Sequence, residues 1–221
     1  MDKVKIISNE EIANNVRSFK VEKPKGYRFV PGQAVKIFIE KKEFRDDGHP
    51  FTLTSLNSDN FLEFFIKQYP ESDGFTKTLH LFNPGDSILI DELFGSIIYK
   101  GTGLFLAAGS GITPFISIFR DLINRGGVSD NGLLFSNKTF EDIILYNEIK
   151  KMFSHNDRLV FTLSQEERTG FAYGRINRWM LRRYMQSGDK LYICGPKSFV
   201  KNLSLIAYEF GKSENDVIFE R

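Results

Sequence analysis

The sequence has 221 residues, enough for two compact domains, and its 41% hydrophobic and 26% charged residues are the balance of a chain that builds a core. A net charge of +2 without a dense Lys/Arg stripe argues against a nucleic-acid partner, and the single cysteine, Cys194, excludes both an internal disulfide and a cysteine-held iron–sulfur cluster made by this chain alone. No stretch approaches the roughly 20 apolar residues of a membrane span, so the expectation is a cytoplasmic monomer with no membrane span and no metal site.

From the N-terminus to about residue 98, short runs of β-branched and aromatic residues alternate with turn signals, the pattern of an antiparallel sandwich or barrel. The predicted strands are 3–8, 13–22, 33–40, 51–55, 61–68 and 87–91, with turns at Pro31-Gly32, Asn57 to Asn60 and Pro84-Gly85. One interruption, 75–82, places Phe75, Leu79 and Phe82 at helical spacing behind Asp73-Gly74 and predicts a short helix whose N-terminus faces something anionic. Past Lys100-Gly101 the periodicity changes. Apolar runs of five to seven residues alternate with amphipathic stretches, which predicts a parallel sheet with crossover helices. Strands are expected at 104–108, 132–135, 159–163, 191–194 and 217–219, and helices at 114–124, 140–152, 175–185 and 197–210. The fold class is therefore two-domain, an antiparallel β-barrel over 1–99 followed by an α/β parallel-sheet domain over 100–221. The 22 phenylalanines supply core and suit a pocket for a flat ring.

Three segments carry candidate chemistry. In the first, the buried strand 104–108 runs into Gly109-Ser110-Gly111-Ile112-Thr113-Pro114, a glycine turn followed by a helix with proline near its start. Gly109 and Gly111 would let the backbone approach a pyrophosphate, and free helix N–H groups would bind it. A plain strand-to-helix turn is an equal reading of two glycines, and Pro114 in place of a third glycine argues against an ordinary Rossmann dehydrogenase. In the second, Cys194-Gly195-Pro196 repeats the design after strand 191–194, and its tip should edge the same crevice, although a lone thiol is more often a small buried hydrophobe. In the third, His49-Pro50-Phe51-Thr52-Leu53-Thr54-Ser55 puts a cation-capable ring, an aromatic ring and a hydroxyl on one strand, a set that a half-buried strand explains equally well.

In this order the segments resemble the ferredoxin-NADP reductase superfamily along nearly the whole chain. His49-Pro50-Phe51-Thr52 is similar to its Arg-x-Tyr-Ser/Thr flavin motif, the stretch from Gly74 to Leu79 to its Gly-x-x-Ser/Thr-x-x-Leu motif, Gly109 to Pro114 to its Gly-x-Gly-x-x-Pro, and Cys194-Gly195-Pro196 to its Cys-Gly-Pro. The resemblance implies that Phe51 stacks on the isoalloxazine and that Thr52 hydrogen-bonds near flavin N5. Thr76, with the backbone of Gly74, Phe75 and Lys77, would hold flavin phosphate. Gly109, Gly111, Thr113 and Pro114 would cradle the nicotinamide dinucleotide, with Cys194, Gly195 and Pro196 beside the nicotinamide. Thr52 and Cys194 are the implied catalytic residues, and Phe219 is a candidate cover for the flavin or an edge-strand core residue.

Two departures matter. His49 replaces the usual arginine and grips phosphate less firmly. The spelling His-Pro-Phe-Thr-Leu-Thr-Ser looks like the flavin domain of ferric reductases and NADPH oxidases, so FAD is expected rather than FMN. Ser164-Gln165-Glu166 replaces the Ser-Arg-Glu of NADPH-selective relatives, leaving Lys138 or Arg168 as the substitute cation for a 2′-phosphate. The implied function is an NAD(P)H-dependent flavin oxidoreductase passing electrons from NADH or NADPH through FAD to a redox protein, such as flavodoxin or ferredoxin, or to a small-molecule acceptor. The alternative is an electron-transfer flavoprotein subunit of a larger redox complex. A flavin-free dehydrogenase would leave the barrel half without a job.

Overall fold

Alternating apolar and polar residues shape the first half of the chain. In the computed structural model, which describes residues 1–41, 43–44, 47–69, 74–128, 130–154 and 156–220, strands β1 (Asp2–Ala13) and β2 (Val16–Glu22) form a hairpin. The turn is Asn14-Asn15, with Asn15 at φ 58°, a conformation asparagine tolerates better than most residues. β3 (Ala34–Phe38), β4 (His49–Thr52), β5 (Phe61–Lys67), the short helix α1 (Phe75–Leu79) and β6 (Ser87–Phe94) complete this half. Asp73, expected to precede α1, lies outside the described residues.

The antiparallel order is β4-β3-β6-β1-β2-β5, and the two outer strands meet again. Leu53, just past β4, bridges to Phe64 of β5, and the Thr54 N–H donates to the Glu63 carbonyl at 2.8 Å. The sheet thus curls into the barrel-like form expected, around Phe19, Val35, Ile37, Leu62, Phe64 and Ile90. Each such side chain contributes roughly 1.5–3 kcal/mol when removed from water.

The second half is built on a parallel sheet, because its strands are apolar on both faces. β7 (Gly103–Ala108), β8 (Gly132–Asn137), β9 (Leu159–Leu163), β10 (Ala172–Tyr173), β11 (Lys190–Cys194) and β12 (Val217–Ile218) take the order β10-β9-β8-β7-β11-β12. In β7, Leu104, Phe105, Leu106 and Ala107 are all fully buried and point alternately to two cores. Phe105 and Ala107 join one with α2 (Thr113–Asn124) and α3 (Tyr146–Met152); Leu104 and Leu106 join the other with α4 (Arg178–Tyr184) and α5 (Lys197–Glu209). The α2 core also takes in Val16 and Phe65, so the barrel packs on that face of the sheet.

Three elements depart from the sequence pattern, the first being the strand expected over 13–22, which the Asn14-Asn15 turn cuts so that Ala13 ends β1. The helix expected over 140–152 is broken. Thr139 and Asp142 close a capping box on a 3-10 turn, Phe140–Asp142, and Ile143 and Ile144 then run into the core before Leu145 (φ 55°) restarts the chain as α3. Burying two β-branched residues wins over helix continuity. β10 was missed because two residues beside β9 carry no period.

Candidate active site

Two turns at the carboxyl ends of neighbouring strands meet. β7 passes through a 3-10 turn, Gly109–Ile112, into α2, while β11, with Cys194 opposite Ala107, passes through Gly195 and Pro196 into α5. A Cβ on Gly111 would stand 2.3 Å from the Cys194 carbonyl oxygen, and one on Gly195 would stand 3.0 Å from the Ala108 Cβ. Gly111 is required by the contact of one turn with the other, whereas a Cβ on Gly195 would meet the Phe199 ring of its own helix first, at 2.9 Å. Gly111, expected to make room for a ligand, is buried and makes room for the second turn instead. Gly109 is the open position: its φ is +53° and a Cβ there would meet nothing within 4 Å. No side chain caps the start of the turn or of α2, and neither has an acidic residue in its first turn. Backbone N–H groups and the positive end of α2 therefore suit an anion. Thr113 and Pro114 are buried in the first turn of α2, where proline removes an N–H that the helix cannot pair.

Cys194 lies on the α2 face of the sheet, with Tyr192 and Ala107. Burial first, then the nearby Glu220 carboxylate, push its thiol up to about 12, against the opposing hydrogen bond of the Gly195 backbone. It is a neutral thiol at ordinary pH. Desolvation raises the Glu220 carboxyl as well. Phe219, for which the sequence leaves a flavin cover and an edge-strand core residue both open, packs with the α4–α5 core, as alternation sends Val217 and Phe219 one way and Ile218 the other. Its carbonyl accepts from the Ser96 hydroxyl at 3.0 Å. The Glu220 carboxylate, which the sequence reading did not single out, is thus the charge that disfavours the Cys194 thiolate; Arg221 lies outside the described residues.

On the barrel, Phe51 and Thr52 are half-buried in β4, paired with Val35 and Ala34 of β3, and Pro50 is exposed. His49 stacks on Phe75 with ring centroids 4.4 Å apart, and Phe51 runs near-parallel to the same ring at 6.0 Å. The fold thereby joins the His49–Thr52 strand to α1, whose N-cap Gly74 has no side-chain cap and whose first turn holds half-exposed Thr76. Two expectations change in detail. The His49 ring is engaged by the Asp47 carboxylate at 3.0 Å, and Phe75, 3% exposed, is a core residue that leaves only its backbone for a ligand.

Helix α2 fastens the two halves together. The Gly32 N–H, just before β3, donates to the Ser117 hydroxyl at 2.9 Å. One turn on, the Arg120 guanidinium donates to the Thr54 carbonyl at 2.8 Å, to Glu63 of β5 at 2.6 Å, and through two nitrogens to both oxygens of Glu148 on α3 at 2.8 and 3.2 Å. Burial disfavours the Arg120 charge, but the hydrogen bonds to Glu148 and the charges of Glu63 and Glu148 outweigh it and hold the group protonated. Sequence reasoning missed this cluster, whose members lie 28 and 57 residues apart.

At the carboxyl end of β9, Glu166 accepts the Phe140 N–H at 2.8 Å and pairs with Arg168 at 3.2 Å, which lowers its pKa. Arg168 lies over the Phe140 ring at 3.8 Å, while Lys138 is exposed.

Comparisons with known proteins agree with this geometry. Residues 1–83 match the FAD-binding domain family and residues 105–204 the oxidoreductase NAD-binding domain family. NADH-cytochrome b5 reductase 2 of Mycosarcoma maydis is 26% identical over 187 residues, 78% of this chain and 53% of that protein. The chain thus spans about half the length of that relative. The solved CS-b5R domains of human Ncb5or, in the NAD+ form, are 26% identical, with a TM-score of 0.85 over 98% of this chain and 68% of that one. A ferredoxin NADP+ reductase of Neisseria gonorrhoeae with bound FAD and NADP shares the fold, at 22% identity, with a TM-score of 0.81 over 96% of this chain and 92% of that one. The chain thus carries an FAD-binding domain followed by an oxidoreductase NAD-binding domain, in the two-domain fold of the ferredoxin NADP+ reductase structure.

Proposed function

We propose that this chain is an NADH-dependent FAD reductase that passes electrons to a haem protein of the cytochrome b5 kind, with residues 1–99 holding FAD and 100–221 holding the dinucleotide. FAD supplies, when bound, the ability to take two electrons as hydride and to return them one at a time. The protein's part is orientation and charge. Phe51 offers a flat face and Thr52 a hydroxyl beside it, while His49 and the backbone of Gly74, Phe75 and Thr76 serve the flavin phosphates. Gly109 and the uncapped start of α2, with Thr113 and Pro114, receive the dinucleotide phosphates. Cys194 presents a neutral thiol to the nicotinamide, framed by the Gly195 and Pro196 backbone; a thiolate there would be a nucleophile with no purpose in hydride transfer.

The observation that carries the reading is the apposition of the Gly111 and Cys194–Gly195 turns, fastened through α2 to the strand bearing Phe51 and Thr52. NADH is favoured over NADPH because Gln165 stands where the NADPH-selective pattern has arginine and Arg168 is committed to the Glu166 carboxylate, so that of Lys138 and Arg168 only exposed Lys138 is left for a 2′-phosphate. The acceptor follows from the relatives named NADH-cytochrome b5 reductases, in place of the flavodoxin or ferredoxin first expected. A cytoplasmic site suits the lone thiol, and among the described residues no helix is long and apolar enough to cross a membrane.

The test is an anaerobic titration of the FAD-loaded chain with each nicotinamide, followed by addition of oxidised cytochrome b5. Bleaching of the flavin at lower NADH than NADPH, then reduction of the cytochrome, is expected. Failure of both nicotinamides to bleach the flavin removes the reading. Bleaching without cytochrome reduction removes only the acceptor.

A further inference from the structure

We propose that Arg120 is a positioning residue for hydride transfer, holding the helix that receives the dinucleotide in register with the strand pair that faces the flavin. The inference rests on the function proposed above and adds to it a part for a residue outside both cofactor-binding turns.

The Arg120 side chain is 21% exposed and that of Glu63 only 8%, so the pair is largely removed from water. Glu63 is also held from its own side of the barrel. Its carboxylate accepts from the Ser18 hydroxyl at 3.2 Å and the Thr54 hydroxyl at 2.9 Å, and its N–H donates to the Ser55 hydroxyl at 3.1 Å. The anion is therefore fixed in the barrel, and Arg120 is the cation that reaches it from the other sheet. Glu148 grips the far side of the same guanidinium, so its plane is set by three partners on three elements.

The placement gives this cluster its consequence. Thr54 follows Thr52 by two residues and Gly32 precedes β3 by two, so in the antiparallel β3–β4 pair Arg120 and Ser117 grip the same end, the one at which Ala34 faces Thr52. The two gripping residues are three apart on α2 and share one face. The same helix begins at the glycine turn, and Thr113 to Arg120 spans about 10 Å at 1.5 Å per residue. One rigid rod thus presents the dinucleotide site at its tip and the clamp on the flavin strands along its side. Without the guanidinium, Glu63 keeps a buried charge with no cation, and the rod loses its tie to Thr54. A shift of about 1 Å between reacting groups costs a rate factor on the order of 100.

The test compares the FAD-loaded full chain with Arg120→Lys and with the double variant Arg120→Met/Glu63→Gln, which removes both buried charges and covers the case in which the single variant folds poorly. Limiting rates of flavin reduction by NADH are measured by anaerobic stopped flow, with NADH affinity, the charge-transfer absorbance of the NADH–flavin complex, and reduction by dithionite. Expected in both variants are normal flavin absorption, NADH affinity within about twofold, an unchanged dithionite rate, a weakened charge-transfer band and a limiting rate lower by about 10- to 100-fold. The proposal is overturned if the limiting rate stays within about twofold while only thermal stability falls, or if the whole loss lies in NADH affinity. Failure of the unsubstituted chain to be reduced by NADH overturns the proposed function instead, whatever the variants do.

Discussion

The contact between the two turns can be broken at one atom. A Cβ on Gly111 would lie 2.3 Å from the Cys194 carbonyl oxygen and 2.5 Å from its carbon, both of them backbone, so no flexible side chain can yield. Restoring an ordinary separation of about 3.4 Å requires the turns to part by about 1 Å, and forced packing of this kind costs roughly 1–3 kcal/mol. For a chain of this length that corresponds to a fall in Tm of about 2–10 °C. The functional effect should be larger, since parting the turns moves the dinucleotide phosphates relative to the nicotinamide pocket, and about 1 Å there is worth on the order of 100-fold in rate. Gly111→Ala is therefore expected to lose about two orders of magnitude in anaerobic flavin reduction by NADH while keeping its flavin spectrum. Gly109→Ala is the internal comparison. Its added methyl meets no protein atom, so the stability cost is only the left-handed backbone at φ +53°, about 1–2 kcal/mol, and the loss should fall on NADH affinity, because the methyl occupies the anion site. A Gly111→Ala protein reduced at the rate of the unsubstituted chain would refute the argument that turn-to-turn contact sets the site.

Three further outcomes follow from particular groups. The Cys194 thiol, raised to about 12, should alkylate slowly with iodoacetamide, at a rate that climbs about tenfold per pH unit without levelling off up to about pH 10, and Glu220→Gln should speed the reaction by removing a charge that disfavours thiolate; a plateau setting in at about pH 8 to 9 would show the thiol to be ordinary. Gln165→Arg should narrow the preference for NADH over NADPH by about fivefold, as one added cation near a 2′-phosphate is worth about 1 kcal/mol, read from limiting rates and affinities with each nicotinamide. An unchanged ratio would place the 2′ position elsewhere. Arg158 and Asp189, 7% and 4% exposed, form a buried ion pair at the amino ends of β9 and β11, opposite the turns at the carboxyl ends, so Asp189→Ala should destabilise by about 3–5 kcal/mol through the stranded guanidinium while leaving the rate of flavin reduction in the folded fraction intact. Thermal unfolding and stopped flow on the same preparation separate the two effects.

The parts legible in the sequence are those whose cause is local. Leu104 to Ala108 reads as a buried parallel strand because apolar residues occupy both faces, and Gly109 with Pro114 reads as a turn into a helix because backbone conformation is written in those residue types. Where a local rule meets a tertiary demand, the reading slips, as at Ile143-Ile144, where burial breaks a helix that spacing alone extends. Gly111 shows a subtler limit: the sequence marks a place where no side chain fits, but what fills the space is the Cys194 carbonyl, more than 80 residues on. Near the chain's end the aromatic Phe219 drew attention, while the charge felt by the Cys194 thiol is that of the following residue, Glu220.

The Arg120 cluster lies furthest from local legibility. A lone arginine after Phe115, Ile116 and Phe119 resembles the solvent edge of an amphipathic helix, and Glu63 and Glu148 look like ordinary surface acids. Only the closing of the barrel, which brings Thr54 against Glu63, and the packing of α2 across that seam turn three unremarkable charges into one buried joint. The candidate cofactor residues can be picked out from motifs because each motif carries a local backbone signal. The residues that set the distance between cradles belong to the interface of two sheets, and their identity becomes visible only when both sheets are in place.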